Sequence, residues 1–289
     1  MKKVIYLLLL MLALSSCNVK PNLINNQYAN ALAQENISIS DTENQSNENA
    51  IINRFDVPEG YERVTSVPGT FEYFLQHITL LPKDSPITLY NGEIRTKKLH
   101  HAAVLDYDVG KFDLMQCADS VLKLRCEYLY SLGKYDELSF SVSSDMKIDF
   151  SIWAQGNTLK PNENGKLAYL KDDENNSSYV SFLHYLNRLF TYAGTMSLYD
   201  DTKSTDLANL KIGDIFVVPG SPGHSAIIVD MALDNYGNKI CLIAEGHTPA
   251  QSIHISNNLG NPDMGAWFDL NEKIILQTET FSLKNARTF

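Results

Sequence analysis

The sequence predicts an α+β fold in which helices pack against an antiparallel sheet. Three features predict it: a strong helical pattern over residues 114–132, a second over residues 177–193, and a last third rich in β-prone runs separated by short turns. The strands of that last third follow one another directly instead of alternating with helices. We therefore expect an antiparallel meander.

Before the second helix, apolar spacing and turn residues predict a mixed series of elements. Phe71, Phe74, Leu75 and Ile78 recur at helical spacing, and Gly133 fits the C-terminus of the helix over residues 114–132. Residues 156–176 are polar and are expected to form a loop. Strands are predicted over residues 87–90, 101–107, 137–143 and 147–153.

The second helix and the following strands complete the expected fold. The predicted apolar face of the helix consists of Val180, Leu183, Leu186, Leu189 and Phe190. Residues 235–238 have the composition of a hairpin loop between two strands. Strands are predicted over residues 214–218, 225–231, 239–244, 267–270 and 274–277.

The N-terminus has the pattern of an export signal. Two lysines precede an apolar run over residues 4–14, which is shorter than the roughly 20 residues that span a bilayer. The following Ser15-Ser16-Cys17 completes a segment that resembles the bacterial lipobox. This resemblance implies that residues 1–17 are a lipoprotein signal peptide and that Cys17 is lipidated. The alternative is an ordinary secretory signal with a chance cysteine.

The remainder of the chain is expected to be a tethered domain. Residues 18–50 are rich in Asn, Ser, Gln and Glu without hydrophobic periodicity, which is typical of a disordered tether. Residues 51–289 are expected to form a single α+β domain. The protein is therefore predicted to be exported and anchored to a membrane through Cys17, in the periplasm or on the cell surface.

Charge and motif content exclude several classes of function. The formal net charge is −10, which disfavours nucleic acid and anionic lipid as partners. The sequence has no phosphate-binding glycine loop and no cysteine pairing of the zinc type, so we predict no cofactor and no metal.

Three cysteines remain once Cys17 is assigned to the lipid: Cys117, Cys126 and Cys241. Within one helix, nine residues separate the first two by about 13 Å, which is too far for a disulfide. Cys117 begins the helix, where the dipole and free N–H groups favour a thiolate and hold an oxyanion. The polar side chain of Gln116 adds a donor. A small buried cysteine is the alternative for Cys117, and core positions are expected for Cys126 and Cys241.

Two further polar residues stand at strand ends. His224 begins a strand after a Gly/Pro turn, where it could reach the helix start and act as a base, or be a surface or core histidine. Glu245 ends the next strand, where it could orient the imidazole or be solvated. His247, Gln251 and His254 are rival candidates, each structural or facing the substrate.

The chain order Cys117, His224, Glu245 resembles the NlpC and CHAP groups of papain-like cysteine hydrolases. The resemblance covers roughly residues 110–255. It implies a papain-like core over about residues 110–280, in which a helix carries the cysteine at its N-terminus and packs on an antiparallel sheet. It further implies Cys117 as nucleophile, His224 as base and Glu245 as orienting residue. The assignment places Gln116 near the oxyanion, with Gln251 and His254 on the substrate side.

A resemblance over nearly the whole domain is to a family of bacterial envelope proteins known only as a domain of unknown function. The segments that carry it include Gln116-Cys117-Ala118-Asp119, Leu124-Arg125, Glu127-Tyr128-Leu129-Tyr130, Tyr192-Ala193-Gly194-Thr195, Ser197-Leu198, Pro222-Gly223-His224, Val229-Asp230, Pro249-Ala250-Gln251 and Ile253-His254. This resemblance implies no particular activity.

Two functions follow as expectations. The first is a membrane-anchored cysteine hydrolase or acyltransferase that acts on cell-envelope material such as peptidoglycan peptides. The second is a non-catalytic binding or scaffold lipoprotein on a hydrolase-like fold, which predicts that Cys117 is buried and distant from His224. A metal site built from His100, His101, His247 and His254 is a third option. Adjacent His100 and His101 would point to opposite faces of a strand.

Overall fold

The computed structural model describes residues 47–96 and 100–289. The predicted signal peptide (1–17) and most of the predicted tether (18–50) lie outside these ranges. Within the described part of the chain, no helix has the length and apolar character needed to cross a bilayer. The described helices are α1 (Ile51–Arg54), α2 (Phe71–Gln76), α3 (Cys117–Ser131), α4 (Phe150–Trp153), α5 (Tyr179–Tyr192) and α6 (Thr195–Asp200).

Strands and helices are mixed along the chain, and every strand pair described is antiparallel, which confirms the α+β prediction. The strands are β1 (Tyr61–Arg63), β2 (His101–Val104), β3 (Ser139–Ser143), β4 (Met146–Asp149), β5 (Asn157–Pro161), β6 (Leu167–Lys171), β7 (Lys203–Ser204), β8 (Ile215–Val218), β9 (His224–Asp234), β10 (Lys239–Glu245), β11 (His254–Ser256), β12 (Phe268–Asp269), β13 (Ile274–Ile275), β14 (Thr280–Phe281) and β15 (Ala286–Thr288).

The central sheet has the strand order β2-β11-β10-β9-β8-β15-β7, and β1 and β12 add to β9 and β10. Its middle strands β8, β9 and β10 are almost wholly buried, since both faces are covered. The predicted meander is thus confirmed for β8–β10. The sequence did not reveal that β15, from the end of the chain, pairs with β8.

Helix α3 packs directly on β9 and β10. Its sequence is apolar or small on most sides, which is typical of a helix that is buried nearly all round. Three ionisable residues are buried on it. Asp119 lies in the first turn, and Lys123 and Glu127 neutralise each other, because Lys123 Nζ lies 2.8 Å from Glu127 Oε1. The predicted C-terminus at Gly133 is confirmed, and this glycine adopts φ 66°.

The segment between α3 and α5 differs from the prediction in two places. The strand expected over residues 147–153 ends at Asp149 and continues as helix α4, because Phe150 and Trp153 turn toward α5, where the Trp153 indole donates to Ser181 Oγ at 2.9 Å. The loop expected over residues 156–176 contains the β5–β6 hairpin. Polar residues conceal this hairpin from a hydrophobicity pattern, although Leu159 is fully buried.

Two other local predictions were wrong. Val180 and Leu183 of the expected apolar face of α5 are exposed, at 65% and 36%. Leu186, Leu189 and Phe190 of that face are buried as predicted. Phe182 and Tyr185 complete the buried stripe, because α5 faces an aromatic cluster that includes Phe150. Residues 87–90 form only isolated bridges, such as that between Leu89 and Gln251.

Candidate active site

Cys117 is the first residue of α3. The preceding Gln116 caps the helix, and its backbone N–H donates to Asp119 Oδ2 at 3.1 Å. Cys117 is a free, half-buried thiol whose Sγ lies 4.0 Å from the carbonyl oxygen of Gly223. Cys126 and Cys241 are free and fully buried, as predicted, and burial raises the pKa of both thiols well above its usual range.

His224 and Glu245 meet at one end of the sheet, where β9 begins and the adjacent β10 ends. Nε2 of His224 lies 2.6 Å from Glu245 Oε2, and both side chains are buried. Cys117 lies within hydrogen-bonding reach of the same ring. The structure therefore places the three residues in the order Cys117, His224, Glu245.

The contacts of His224 determine its charge. Burial by itself would lower the pKa of this imidazole, but hydrogen bonds with Cys117 and Glu245 raise it to about 9. The ring is therefore protonated at neutral pH. For Glu245, burial raises the pKa, but the hydrogen bond with His224 and the nearby imidazole of His247 outweigh it and hold the pKa well below its usual range. The pair is an ionised, charge-assisted hydrogen bond.

The carboxylate of Glu245 has further partners. The Ser256 hydroxyl donates to Oε1 at 2.5 Å. Nε2 of His247 lies 3.3 Å from Oε2 without the alignment of a hydrogen bond, and Nε2 of His254 lies 3.9 Å from Oε1. These contacts fix both oxygens, which leaves the carboxylate little freedom to turn away from His224.

Three imidazoles and one phenyl ring form a series around the carboxylate. The His247 ring lies 4.9 Å from that of His224 and 5.7 Å from that of His254, with nearly parallel planes. Phe281 lies on the other side of His224, at 5.9 Å. Burial is the main cause that lowers the pKa of His254 to about 4, so this ring is neutral. The stacked rings of Phe281 and His247 limit the rotation of the His224 ring.

Two glycines allow the strands to approach the helices closely. A Cβ on Gly246 would lie 2.1 Å from Ser120 Oγ in the first turn of α3. A Cβ on Gly223 would lie 2.4 Å from Thr195 Oγ1 at the start of α6. Each glycine is adjacent in sequence to a residue of the cluster. Gly246 is therefore needed for the close approach of α3 to the end of β10, and Gly223 for that of α6 to the start of β9.

The other predicted site residues have different environments. The Gln116 amide donates to Asp113 Oδ1 at 3.2 Å and accepts from Thr248 Oγ1 at 2.9 Å, so it lies beside Cys117 but is already bonded. Gln251 is fully buried and accepts from Arg95, away from the thiol cluster. His254 lies within the cluster but is almost inaccessible. The oxyanion and substrate roles of these three residues stay predictions.

Sequence reasoning missed Ser256 and the place of His247 and Phe281. One signal was present: Ser256 follows His254 by two residues on one strand, so both side chains point to the same face. Nothing local in the sequence indicated Phe281, which reaches His224 from the β13–β14 hairpin.

A metal ligand set in the described residues differs from the one considered at the outset. Ligand atoms of His224, Glu245 and His247 all lie within 4.8 Å of one another. Imidazole and carboxylate are ligands that suit zinc. However, both Nε2 atoms already converge on Glu245 Oε2, so a bound ion would have to displace this oxygen. Of the four histidines considered for a metal site in the sequence, only His247 belongs to this set.

The fold and the site define an α+β protein with a buried cysteine–histidine–carboxylate cluster. The chain belongs to the family described as "Domain of unknown function (4846)", whose model matches residues 51–288. This match confirms the family resemblance seen in the sequence. A second model, the prokaryotic membrane lipoprotein lipid attachment site, matches residues 1–18. The protein is therefore an exported, membrane-anchored lipoprotein, and Cys17 is the cysteine inside the matched segment.

No curated protein and no solved structure matches the chain. The comparisons give no support to the resemblance to NlpC and CHAP hydrolases. Any assignment of activity therefore depends on the chemistry of the residues themselves.

Proposed function

We propose that this protein is a cysteine hydrolase or acyltransferase that acts on amide bonds of cell-envelope material, such as peptidoglycan peptides. A single α+β domain from residue 51 would be carried on a tether over residues 18–50, anchored through the lipid on Cys17. The cysteine at the start of a helix that packs on an antiparallel sheet supports a papain-like arrangement for this domain. The membrane anchor favours substrates within reach of the tether.

The observation that carries this proposal is the uninterrupted sequence of contacts from Cys117 through His224 and Glu245 to Ser256. In a thiol hydrolase, a protonated imidazole stabilises the thiolate and later donates its proton to the leaving group. A carboxylate on the far side of the ring holds the correct tautomer. Half-burial of Cys117 leaves the thiol accessible while its partners are shielded from water.

The chemical steps use only groups of this site and water. The Cys117 thiolate forms a bond to the carbonyl carbon, and the charge collects on the oxygen beside the first N–H groups of α3. The C–N bond breaks, and His224 transfers its proton to the departing amine. Water, or an acceptor amine, then attacks the thioester, gives its proton to His224, and restores the thiolate. Glu245 stays ionised throughout.

The contact between Cys117 and His224 favours this proposal over a non-catalytic scaffold. A scaffold protein does not need an accessible thiol next to an ionised imidazole. Its Cys117 and His224 could lie far apart without loss of function. Here the thiol is half-buried and reaches the ring. A scaffold role would also give no reason for a carboxylate with both oxygens fixed behind that ring.

The first experiment compares the three thiols of the domain within one protein. We expect iodoacetamide to modify Cys117 at about pH 6 at least 10-fold faster than Cys126 or Cys241, because only the thiolate reacts. Mass spectrometry of peptides measures all three rates. His224→Gln should slow only the reaction at Cys117. Equal rates at the three cysteines would refute the proposal of an activated thiol.

The second experiment tests turnover. Purified full-length protein is incubated with peptidoglycan and with its soluble peptides, and new amino groups are counted by mass spectrometry. Cys117→Ala should abolish product formation, whereas Cys126→Ala, which alters a thiol buried elsewhere on the same helix, should retain it. Product formed equally by the Cys117→Ala variant would show that another residue performs the reaction.

A further inference from the structure

A cavity separate from the cysteine cluster lies beside the middle of α3. It has a volume of about 270 Å³ and is lined by Phe71 and Glu72 of α2, Arg125 and Tyr128 of α3, Lys211, and Phe289, among other residues. No residue of the cluster around Cys117 contributes to its wall. Arg125 follows Cys117 by eight residues, which corresponds to about 12 Å along the helix axis.

Arg125 is surrounded by aromatic rings. Its guanidinium carbon lies 4.9 Å from the ring centre of Phe71, 5.5 Å from that of Tyr128 and 5.3 Å from that of Phe289. Such contacts each stabilise a cation by roughly 0.5–2 kcal/mol. They act on the face of the charged group and do not satisfy its N–H donors.

Within residues 47–96 and 100–289, no hydrogen bond or ion pair engages the Arg125 guanidinium. The neighbouring charges are committed elsewhere. Glu72 pairs with Lys211 at 3.0 Å, and Glu137 pairs with Lys134 at 2.9 Å. The Asp214 carboxylate accepts from the Lys211 backbone N–H at 2.9 Å. Arg125 is half-buried, and burial lowers the pKa of its guanidinium. A partly desolvated cation without an anionic partner is unusual, because its N–H donors normally find an acceptor.

We propose that this cavity binds a small ligand with one carboxylate, which pairs with the planar fork of Arg125 while its apolar body packs against the surrounding rings. Guanidinium and carboxylate match in shape and form two parallel hydrogen bonds. The rings of Phe71, Tyr128 and Phe289 give a ring or alkyl group an apolar surface to pack against. Glu72 at the rim makes a doubly charged phosphate less favourable than a single carboxylate.

The residues that line the cavity are separate from the residues of the cysteine cluster. Arg125 and Tyr128 lie on the same helix as Cys117, yet neither contacts His224 or Glu245. Gly213 also lines the cavity at φ 90°, and a Cβ there would lie 2.8 Å from the Phe71 ring. The wall is therefore closely fitted around Arg125.

Isothermal titration calorimetry on the full-length protein tests this proposal, with benzoate and inorganic phosphate as probes at constant ionic strength. We expect saturable benzoate binding with a Kd of roughly 10 mM or below, and weaker binding of phosphate. Arg125→Gln should weaken benzoate binding at least about 10-fold, and Arg125→Lys, which keeps the charge over the rings but loses the fork, should also weaken it.

The matched control is Arg54→Gln, which removes a half-buried guanidinium outside the cavity and should leave benzoate binding unchanged. The rate of Cys117 alkylation serves as a fold check for each variant. If Arg125→Gln does not fold, Arg125→Lys decides the outcome. Absence of saturable benzoate binding to the wild type, unchanged binding in Arg125→Lys and Arg125→Gln, or tighter binding of phosphate would overturn the proposal.

Discussion

Replacing Glu245 by Gln is the most informative single change at the cysteine cluster. The substitution keeps the size of the side chain and removes its charge. In the wild type, His224 has a pKa of about 9 against an ordinary value of 6.5. The difference of roughly 2.5 pH units corresponds to about 3 kcal/mol, at 1.36 kcal/mol per unit, in favour of the protonated ring. Glu245 and Cys117 share this effect.

The expected result is a pKa of His224 that falls by roughly 1–2.5 pH units, because burial then acts against a smaller opposing attraction. Two-dimensional NMR of the histidine ring nitrogens measures the titration directly. The same change should slow alkylation of Cys117 near pH 7–8, where the ring of the variant has lost its proton. Glu272→Gln, at an exposed position outside the cluster, is the control.

The sign of the stability effect follows from linkage. A histidine with a raised pKa stabilises the folded state fully below pH 6.5, and this contribution is lost as the pH rises through about 9. Glu245→Gln should therefore lower the free energy of unfolding by about 2–3 kcal/mol at pH 6 and by much less at pH 10. Urea unfolding across this range measures it. An unaltered His224 titration in the variant would refute the assignment of Glu245 as its partner.

Three other substitutions test the surroundings of the site. Burial raises the pKa of Asp119 to about 8, so the free energy of unfolding falls as the pH rises from about 4 to 8. Asp119→Asn should flatten this part of the dependence of stability on pH, measured by urea unfolding. Gly246→Ala should cost about 1–3 kcal/mol in thermal unfolding, whereas Gly194→Ala, with open space around the new methyl group, should be nearly neutral. Arg63→Met should cost about 3–5 kcal/mol, measured by urea unfolding, because it leaves the buried Asp230 carboxylate without its cation.

The helices and middle strands were accessible from the sequence because local patterns encode them. The cysteine helix and the strands β8, β9 and β10 have apolar runs and turn residues that specify them without knowledge of their neighbours. The β5–β6 hairpin and helix α4 were missed because long-range contacts, such as that of Trp153 with Ser181, determine them. Local hydrophobicity carries no information on such partners.

Cys117, His224 and Glu245 could be selected from the sequence because each stands at the end of a predictable element. Their convergence depends on the packing of α3 across β9 and β10. Ser256 and Phe281 arrive from separate parts of the chain, and no spacing rule connects either with His224. The surroundings of Arg125 also became visible only in the fold, where three rings cover its guanidinium and the nearby Glu72 is paired with Lys211.

By itself, the sequence determined that the chain is exported and lipid-anchored, that it folds as α+β, and that one helix begins with a free cysteine. These properties depend on short contiguous patterns that act locally. The tertiary structure alone decided the protonation of His224 and the fixed orientation of Glu245. Both depend on burial and on distances between residues far apart in the chain, because electrostatic interactions become strong only where folding removes water.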